Sequence, residues 1–266
     1  MRFLHSLLII PKALCQLGFR PLLLYAGYQF KLRSGLFRLQ TPAKVQKKLN
    51  ETIQILKVVK PASRKEFEKA LGKQKVHLFV EADEILDGKV RLFGAEARPL
   101  DLNPRGRLKH WTSYHKHMPN GEDIKPIWEL GRFGWATVLT RAYWLSGDER
   151  YAEGFWQLTE RFFAANPVNM GPQWSSGQEV ALRLIALGFC TSLVADSIHS
   201  TEERKASLAA SLAAHAERIP PTLLYARAQN NNHLLSEALG LYTAAALLPQ
   251  HPRATDWQRV GRKFFV

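Results

Sequence analysis

Residues 230–248 read NNNHLLSEALGLYTAAALL, and the change of character inside that stretch decides the fold. From Leu234 to Leu248 the run is apolar and helical in pattern. The four residues before it, Asn230, Asn231, Asn232 and His233, are poor helix-interior material. Their short polar side chains compete with the backbone for hydrogen bonds and so suit a helix entry. At such an entry the first backbone N–H groups are unpaired and the helix dipole is positive, which favours a carboxylate nearby.

The same punctuation recurs on both sides. Helices are expected over about 123–145, 148–165, 175–196, 202–218, 232–247 and 254–266. Ser146-Gly147-Asp148 separates the first two, Asn166-Pro167 ends the second, Ser175-Ser176 caps the third, and Thr201 and Pro220-Pro221 bracket the fourth. Short connections imply antiparallel hairpins in series. Without a fixed-period repeat, the pattern favours an incomplete (α/α) toroid over a solenoid. The final helix runs uncapped to Val266, so the sequence reads as cut off there.

Upstream of this mainly α region, 122–266, the chain has two further parts. Residues 1–60 form a basic helical lead-in broken by Pro11, Gly18, Pro21, Gly35 and Pro42. Residues 61–121 are mixed. A short helix spans 63–72, a small β-hairpin is expected between 75–81 and 89–94 around Asp87-Gly88, and a polar loop carries His110, Trp111, Tyr114, His115 and His117.

Of 266 residues, 46% are hydrophobic and 23% charged, which describes a globular protein with a real core. A net charge of +14 biases it toward anionic partners. Acidic polysaccharide, nucleic acid and anionic lipid all fit that field, as does a surface that is basic only for solubility. Cys15 and Cys190 are expected as two buried thiols. No His/Cys cluster suggests a metal, and no cofactor is implied. Phe3 to Ile10 resembles the start of a signal peptide, but Pro11-Lys12 cuts it short and no cleavage site follows. The apolar run 22–28 is too short to span a bilayer, so two short helices able to meet a membrane surface are expected instead. A periplasmic or envelope location is favoured, with a cytoplasmic one left open.

Three groups of residues could carry chemistry. In Asp123–Arg132, Glu129 and Arg132 share a helix face, either as a structural ion pair or as the rim of a cleft with Trp128 as a sugar platform. In 166–183, a tight loop presents Gln173 and Trp174 before a helix, Trp174 serving as a second platform or as a core anchor. Glu179 and Arg183 read as a structural pair one turn apart. The third group is Asn231, Asn232 and His233, either a helix cap with a satisfied histidine or a set of donors.

Taken in order, DIKxxWExxR, AYxxSGDExY at 142–151, NPxxxGxxWxSxxExxxR at 166–183 and NNHxxxEAxGL at 231–241 resemble the N-terminal toroid of the heparinase II/III-like polysaccharide lyases. The resemblance covers about 123–250 and implies a toroid followed by a β-sandwich, with the site between them. It implies further that Asn232 and His233 bind and neutralise a uronate carboxylate, and that a later tyrosine and a sandwich histidine, both beyond Val266, complete the machinery. The implied reaction is β-elimination on an acidic polysaccharide of heparin/heparan or alginate type, with Asn231, Gln173, Trp174, Trp128 and Arg132 as substrate contacts. No nucleic acid is expected, and the fragment alone is expected to be inactive. Two rivals stand beside this reading: an α/α-toroid glycoside hydrolase, which needs two flanking carboxylates, and a non-catalytic helical module binding anionic glycan or nucleic acid.

Overall fold

The structure is a computed structural model; it describes residues 18–43, 54–57, 61–104, 106–114, 118, 121 and 123–265. Twelve helices and one two-stranded sheet are found among them. The lead-in gives α1 (Phe19–Arg33) and α2 (Leu36–Gln40); the expectations for Phe3–Ile10 and Cys15 lie outside the described residues. Next come α3 (Arg64–Leu71) and α4 (Gln74–Leu86), then β1 (Lys89–Val90) paired antiparallel with β2 (Arg98–Pro99). The rest is helical: α5 (Lys125–Gly131), α6 (Gly134–Ser146), α7 (Glu149–Ala165), α8 (Gly177–Val194), α9 (Glu202–Arg218), α10 (Leu223–Gln229), α11 (Asn232–Leu247) and α12 (Ala254–Phe265).

Side-chain caps set five of the twelve helix starts. Ser63 and Glu66 form a reciprocal capping box at α3, and Asp148, Ser176, Thr201 and Asn231 each accept an N–H of the first turn of the helix they cap.

The helices form a mainly α arc of an incomplete α/α toroid. Hairpins α6/α7, α8/α9 and α11/α12 follow one another, and one helix of each packs on the next: α4 on α6, α6 on α8, α8 on α11. Close approach is bought with glycine. A Cβ on Gly240 would lie 2.7 Å from Ala181 Cβ of α8, and one on Gly261 of α12 would lie 2.7 Å from the Ala238 carbonyl oxygen. One apolar core runs from Tyr28 and Phe37 of the lead-in through Leu78, Trp135 and Leu187 to Trp257. Among the described residues, α8 is the one helix long and apolar enough to cross a membrane; 72% of it is buried inside the fold, where it serves as core. Cys190 lies on it as a buried free thiol.

Two expectations need correction. Residues 75–81 are helix, not strand: Leu78, Ala82 and Ile85 bury one helical face, so the apparent alternation of polar and apolar residues was incidental. β1 pairs with β2 instead. The helix expected over 123–145 is broken at Phe133, which sits at φ 63°, ψ 30° with no exposed surface. A phenylalanine tolerates that left-handed conformation because its ring is held against Trp135 (4.7 Å between centroids) and Phe162 (4.9 Å). The chain also gains α10 after a 3₁₀ turn at Pro220–Thr222.

Candidate functional site

The polar run opening α11 is a helix entry. Asn230 adopts the left-handed conformation that ends α10 (φ 45°, ψ 50°), and Asn231 Oδ1 accepts the backbone N–H of His233 at 3.0 Å. Asn232 is the first helical residue, and its side chain is exposed. His233, half-buried, turns into a cleft of about 80 Å³. Its walls are Tyr28 of α1, Tyr114, Trp128 of α5, Ser175 to Gly177 at the start of α8, Thr222, Tyr225 of α10 and Glu237 of α11. The Tyr225 ring meets His233 edge-on at 6.0 Å and Tyr28 at 5.2 Å. Burial holds the imidazole below its ordinary pKa, opposed by the negative charge of Glu179, so the ring favours its neutral form. Neither ring nitrogen has a hydrogen-bond partner among the described residues.

Glu237 forms the cleft floor, one helical turn past His233. It is 1% exposed, and burial raises its pKa to about 8 against the opposing charge of Arg218. Thr222 Oγ1 is placed to donate to Glu237 Oε2 at 3.2 Å or to the Ile219 carbonyl oxygen at 2.9 Å, which also accepts the Thr222 backbone N–H at 3.0 Å. This hydrogen bond, like Arg218, opposes the rise without outweighing burial. Arg218, equally buried, stacks 3.6 Å over Trp111 and donates to the Trp174 and Ser175 carbonyl oxygens at 3.0 and 3.3 Å. Burial also lifts Tyr28 to about 12 and raises Tyr225.

The expected site residues divide. Trp128 lines the cleft, held by its indole N–H to the Pro172 carbonyl oxygen at 3.0 Å. Trp174 does not: it is 1% exposed, its indole N–H donates to the Asn166 carbonyl oxygen at 3.1 Å, and it is a core anchor. Gln173 is likewise buried, donating to the Ile127 carbonyl oxygen at 2.7 Å. Both sit behind the wall because the Pro172–Trp174 turn is pulled inward by Arg183, which donates to the carbonyl oxygens of Gln173 (2.9 Å) and Gly131 (3.1 Å). Arg183 therefore does not pair with Glu179; its Nε donates to His215 Nε2 at 2.7 Å, while His215 Nδ1 meets the Ser211 carbonyl oxygen at 2.6 Å. Arg132 is tied to Glu129 at 2.6 Å and to both oxygens of Glu179 at 2.6 and 2.9 Å and is not among the walls of the His233 cleft. Asn231 spends its carboxamide oxygen on the cap. No cluster of three or more His, Cys, Asp or Glu that could hold a metal occurs among the described residues.

Comparison of the chain with known proteins points to one family. Residues 109–265 match the family model described as heparinase II/III N-terminus. A heparin-sulfate lyase of Bacteroides thetaiotaomicron is 26% identical over 141 residues, which is 50% of this chain and 19% of that protein. The crystal structure of heparan sulfate lyase HepC from Pedobacter heparinus superposes with a TM-score of 0.56 at 18% identity, and a mutant of it with 0.54; each match covers 96% of this chain and 36% of the other. The chain thus spans well under half the length of these relatives. With more than half of its residues in the matched region, the chain belongs to the heparinase II/III family.

Proposed function

We propose that this chain is the toroid part of a polysaccharide lyase that cleaves a uronic-acid-containing polysaccharide, of heparin/heparan or alginate type, by β-elimination. The observation that carries the reading is His233: it opens α11, faces a cleft with aromatic walls, and has no hydrogen-bond partner on its imidazole nitrogens among the described residues. In β-elimination the C5 proton is removed and the C4-linked sugar leaves. The carboxylate beside C5 is already negative, so the enolate-like intermediate carries a second charge there. Fixed donors at that carboxylate lower the barrier, each on the order of 10²–10³ in rate. His233 Nε2–H or Nδ1–H, the exposed Asn232 amide and the positive end of α11 are suited to that role. Trp128 offers a face to the sugar ring.

The cleft supports a lyase over a hydrolase. Inverting or retaining hydrolysis needs two carboxyl groups flanking the bond, whereas among the described residues the cleft presents one, Glu237, with Glu129 and Glu179 bound to Arg132. A base for C5 is a separate need. With Tyr28 at about 12 and Tyr225 raised, neither supplies a phenolate near neutral pH. The neutral His233 is assigned here to the carboxylate, so the reading takes its base from outside these residues, as the family resemblance implies, with little turnover by this chain alone. A polymeric acidic substrate also fits a periplasmic or envelope location.

The test is ultraviolet absorbance of the conjugated double bond that elimination creates, followed with heparan sulfate and alginate and the protein expressed in its full reading frame. Growth in wild type and a loss of about 10²-fold or more in Asn232→Ala and His233→Ala are expected. Unchanged rates in both variants would remove the site assignment.

A further inference from the structure

The basic character of the chain is concentrated. The first fifty residues hold nine Lys and Arg and no Asp or Glu, and residues 102–121 hold four more, again without a carboxylate. The fold brings the described ends of these two segments together. Arg38 Nε donates to Thr112 Oγ1 at 3.3 Å, His110 Nε2 lies 2.7 Å from the Thr41 carbonyl oxygen, and the Trp111 indole donates to Thr41 Oγ1 at 2.7 Å. The loop is fastened from behind as well: Trp111 N–H donates to the Asn169 carbonyl oxygen at 3.0 Å and Gly171 N–H to that of Lys109 at 2.8 Å. At this junction Arg38, Arg107, Lys109 and His110, with Pro42 and Ser113 among the other walls, surround an open depression of about 590 Å³.

None of the ion pairs among the described residues involves Arg38, Arg107 or Lys109. The three are exposed, so their charge is turned toward solvent. His110 contributes shape rather than charge: burial holds its pKa down, and the nearby Arg38 and Arg218 lower it further. The depression adjoins the cleft. Lys109 N–H donates to Tyr114 Oη at 3.0 Å, and Tyr114 is a wall of the His233 cleft.

We propose that this depression is a second saccharide site, where Arg38, Arg107 and Lys109 hold sulfate or carboxylate groups of an acidic polysaccharide whose chain continues from the cleft. The inference rests on the acidic-polysaccharide reading above and adds to it a place built largely from residues preceding the family-matched region, which begins at residue 109. Two other anionic partners fit less well. Nucleic acid binding without sequence preference uses exposed aromatic platforms, and here Trp111 and Tyr114 are 2% and 5% exposed. A lipid surface is met by the apolar face of an amphipathic helix; the exposed Phe19, Leu23, Phe30 and Leu39 of α1 and α2 lie outside the walls of this depression, which Arg38, Arg107, Lys109 and His110 line. Arginine and lysine at spaced positions suit anionic groups repeated along a glycan.

The test is binding of a size-defined heparin oligosaccharide to the full chain by titration calorimetry. The triple variant Arg38→Gln, Arg107→Gln, Lys109→Gln is compared with a control of equal charge, Lys65→Gln, Lys69→Gln, Lys73→Gln, on and beside α3. All six residues are exposed, so both variants are expected to fold. The first triple should bind roughly tenfold more weakly at moderate salt, as three exposed charge contacts imply, and the control should bind as wild type. Equal losses in both, no loss in the first, or no saccharide binding by wild type would each overturn the proposal. So would a loss confined to anionic vesicles or single-stranded DNA. Product absorbance, followed with the protein in its full reading frame because this chain alone is expected to turn over little, separates this from the lyase reading: oligosaccharide binding by that protein without elimination would sink the lyase and leave the second site standing.

Discussion

Gly177, the first residue of α8, stands against Glu237: a Cβ built on it would lie 2.7 Å from Glu237 Oε1 and 2.1 Å from Thr222 Oγ1. The missing side chain is what lets a buried carboxyl and a hydroxyl close the cleft floor. Gly177→Ala is therefore expected to destabilise the fold by about 1–3 kcal/mol, the usual cost of overpacking a well-filled site. Chemical denaturation measures it. A variant as stable as wild type would show that Thr222 and Glu237 can move aside, and that the floor is loosely held.

Glu237 predicts a pH dependence of stability with a definite sign. Its pKa is raised to about 8 in the folded state, above the value of 4.5 ordinary for a glutamate. Between those limits the folded protein holds a proton that the unfolded chain has lost, so stability falls as pH rises through that window. Glu237→Gln removes this slope. Its melting temperature should match wild type near pH 4.5 and exceed it increasingly toward pH 8. Parallel curves across the range would mean that Glu237 does not titrate as its surroundings imply.

How much of this was readable beforehand depends on the range of the forces involved. Helix starts at Ser63, Asp148, Ser176, Thr201 and Asn231 were legible because a cap is made by residues two or three apart. His233 was legible for the same reason, through the polar run that precedes α11. Tyr28 was not: it reaches the cleft from α1, about two hundred residues before His233, and nothing local to it marks that meeting. For Trp174 the platform and the core anchor both stay open in the sequence because a loop has no periodicity to tell inside from outside; the buried pull of Arg183 on the Gln173 carbonyl turns it inward. Residues 75–81 failed differently, since a seven-residue alternation is too short to outweigh a helical face defined by Leu78, Ala82 and Ile85.

Arg132 links α5 to α8 through Glu179, whose side chain is 3% exposed while that of Arg132 is 38% exposed. Removing one partner of a fully buried pair costs about 3–5 kcal/mol. Because Arg132 keeps contact with water and with Glu129, Glu179→Gln should cost less, about 1–3 kcal/mol. Arg132→Ala should likewise lower stability while leaving KM within about twofold of wild type, as a group that touches no substrate implies. A large rise in KM with unchanged melting temperature would return Arg132 to the substrate-binding set.

The two tryptophans separate packing from recognition. Trp174 is buried on all sides, with its ring 4.7 Å from that of His215 and under the Arg183 guanidinium at 5.4 Å. Trp174→Ala should therefore cost about 3–5 kcal/mol, as for other buried aromatics. Trp128 is only partly buried and shows a face to the cleft beside Tyr114 and His233. In the full reading frame, Trp128→Phe keeps an aromatic face and loses the indole hydrogen bond to the Pro172 carbonyl oxygen, so KM should change little; Trp128→Ala loses the face and should raise KM by roughly tenfold, about 1.4 kcal/mol of binding. Equal stability losses in Trp128→Ala and Trp174→Ala, with no change in KM for the former, would make Trp128 a packing residue and take the sugar platform out of the mechanism.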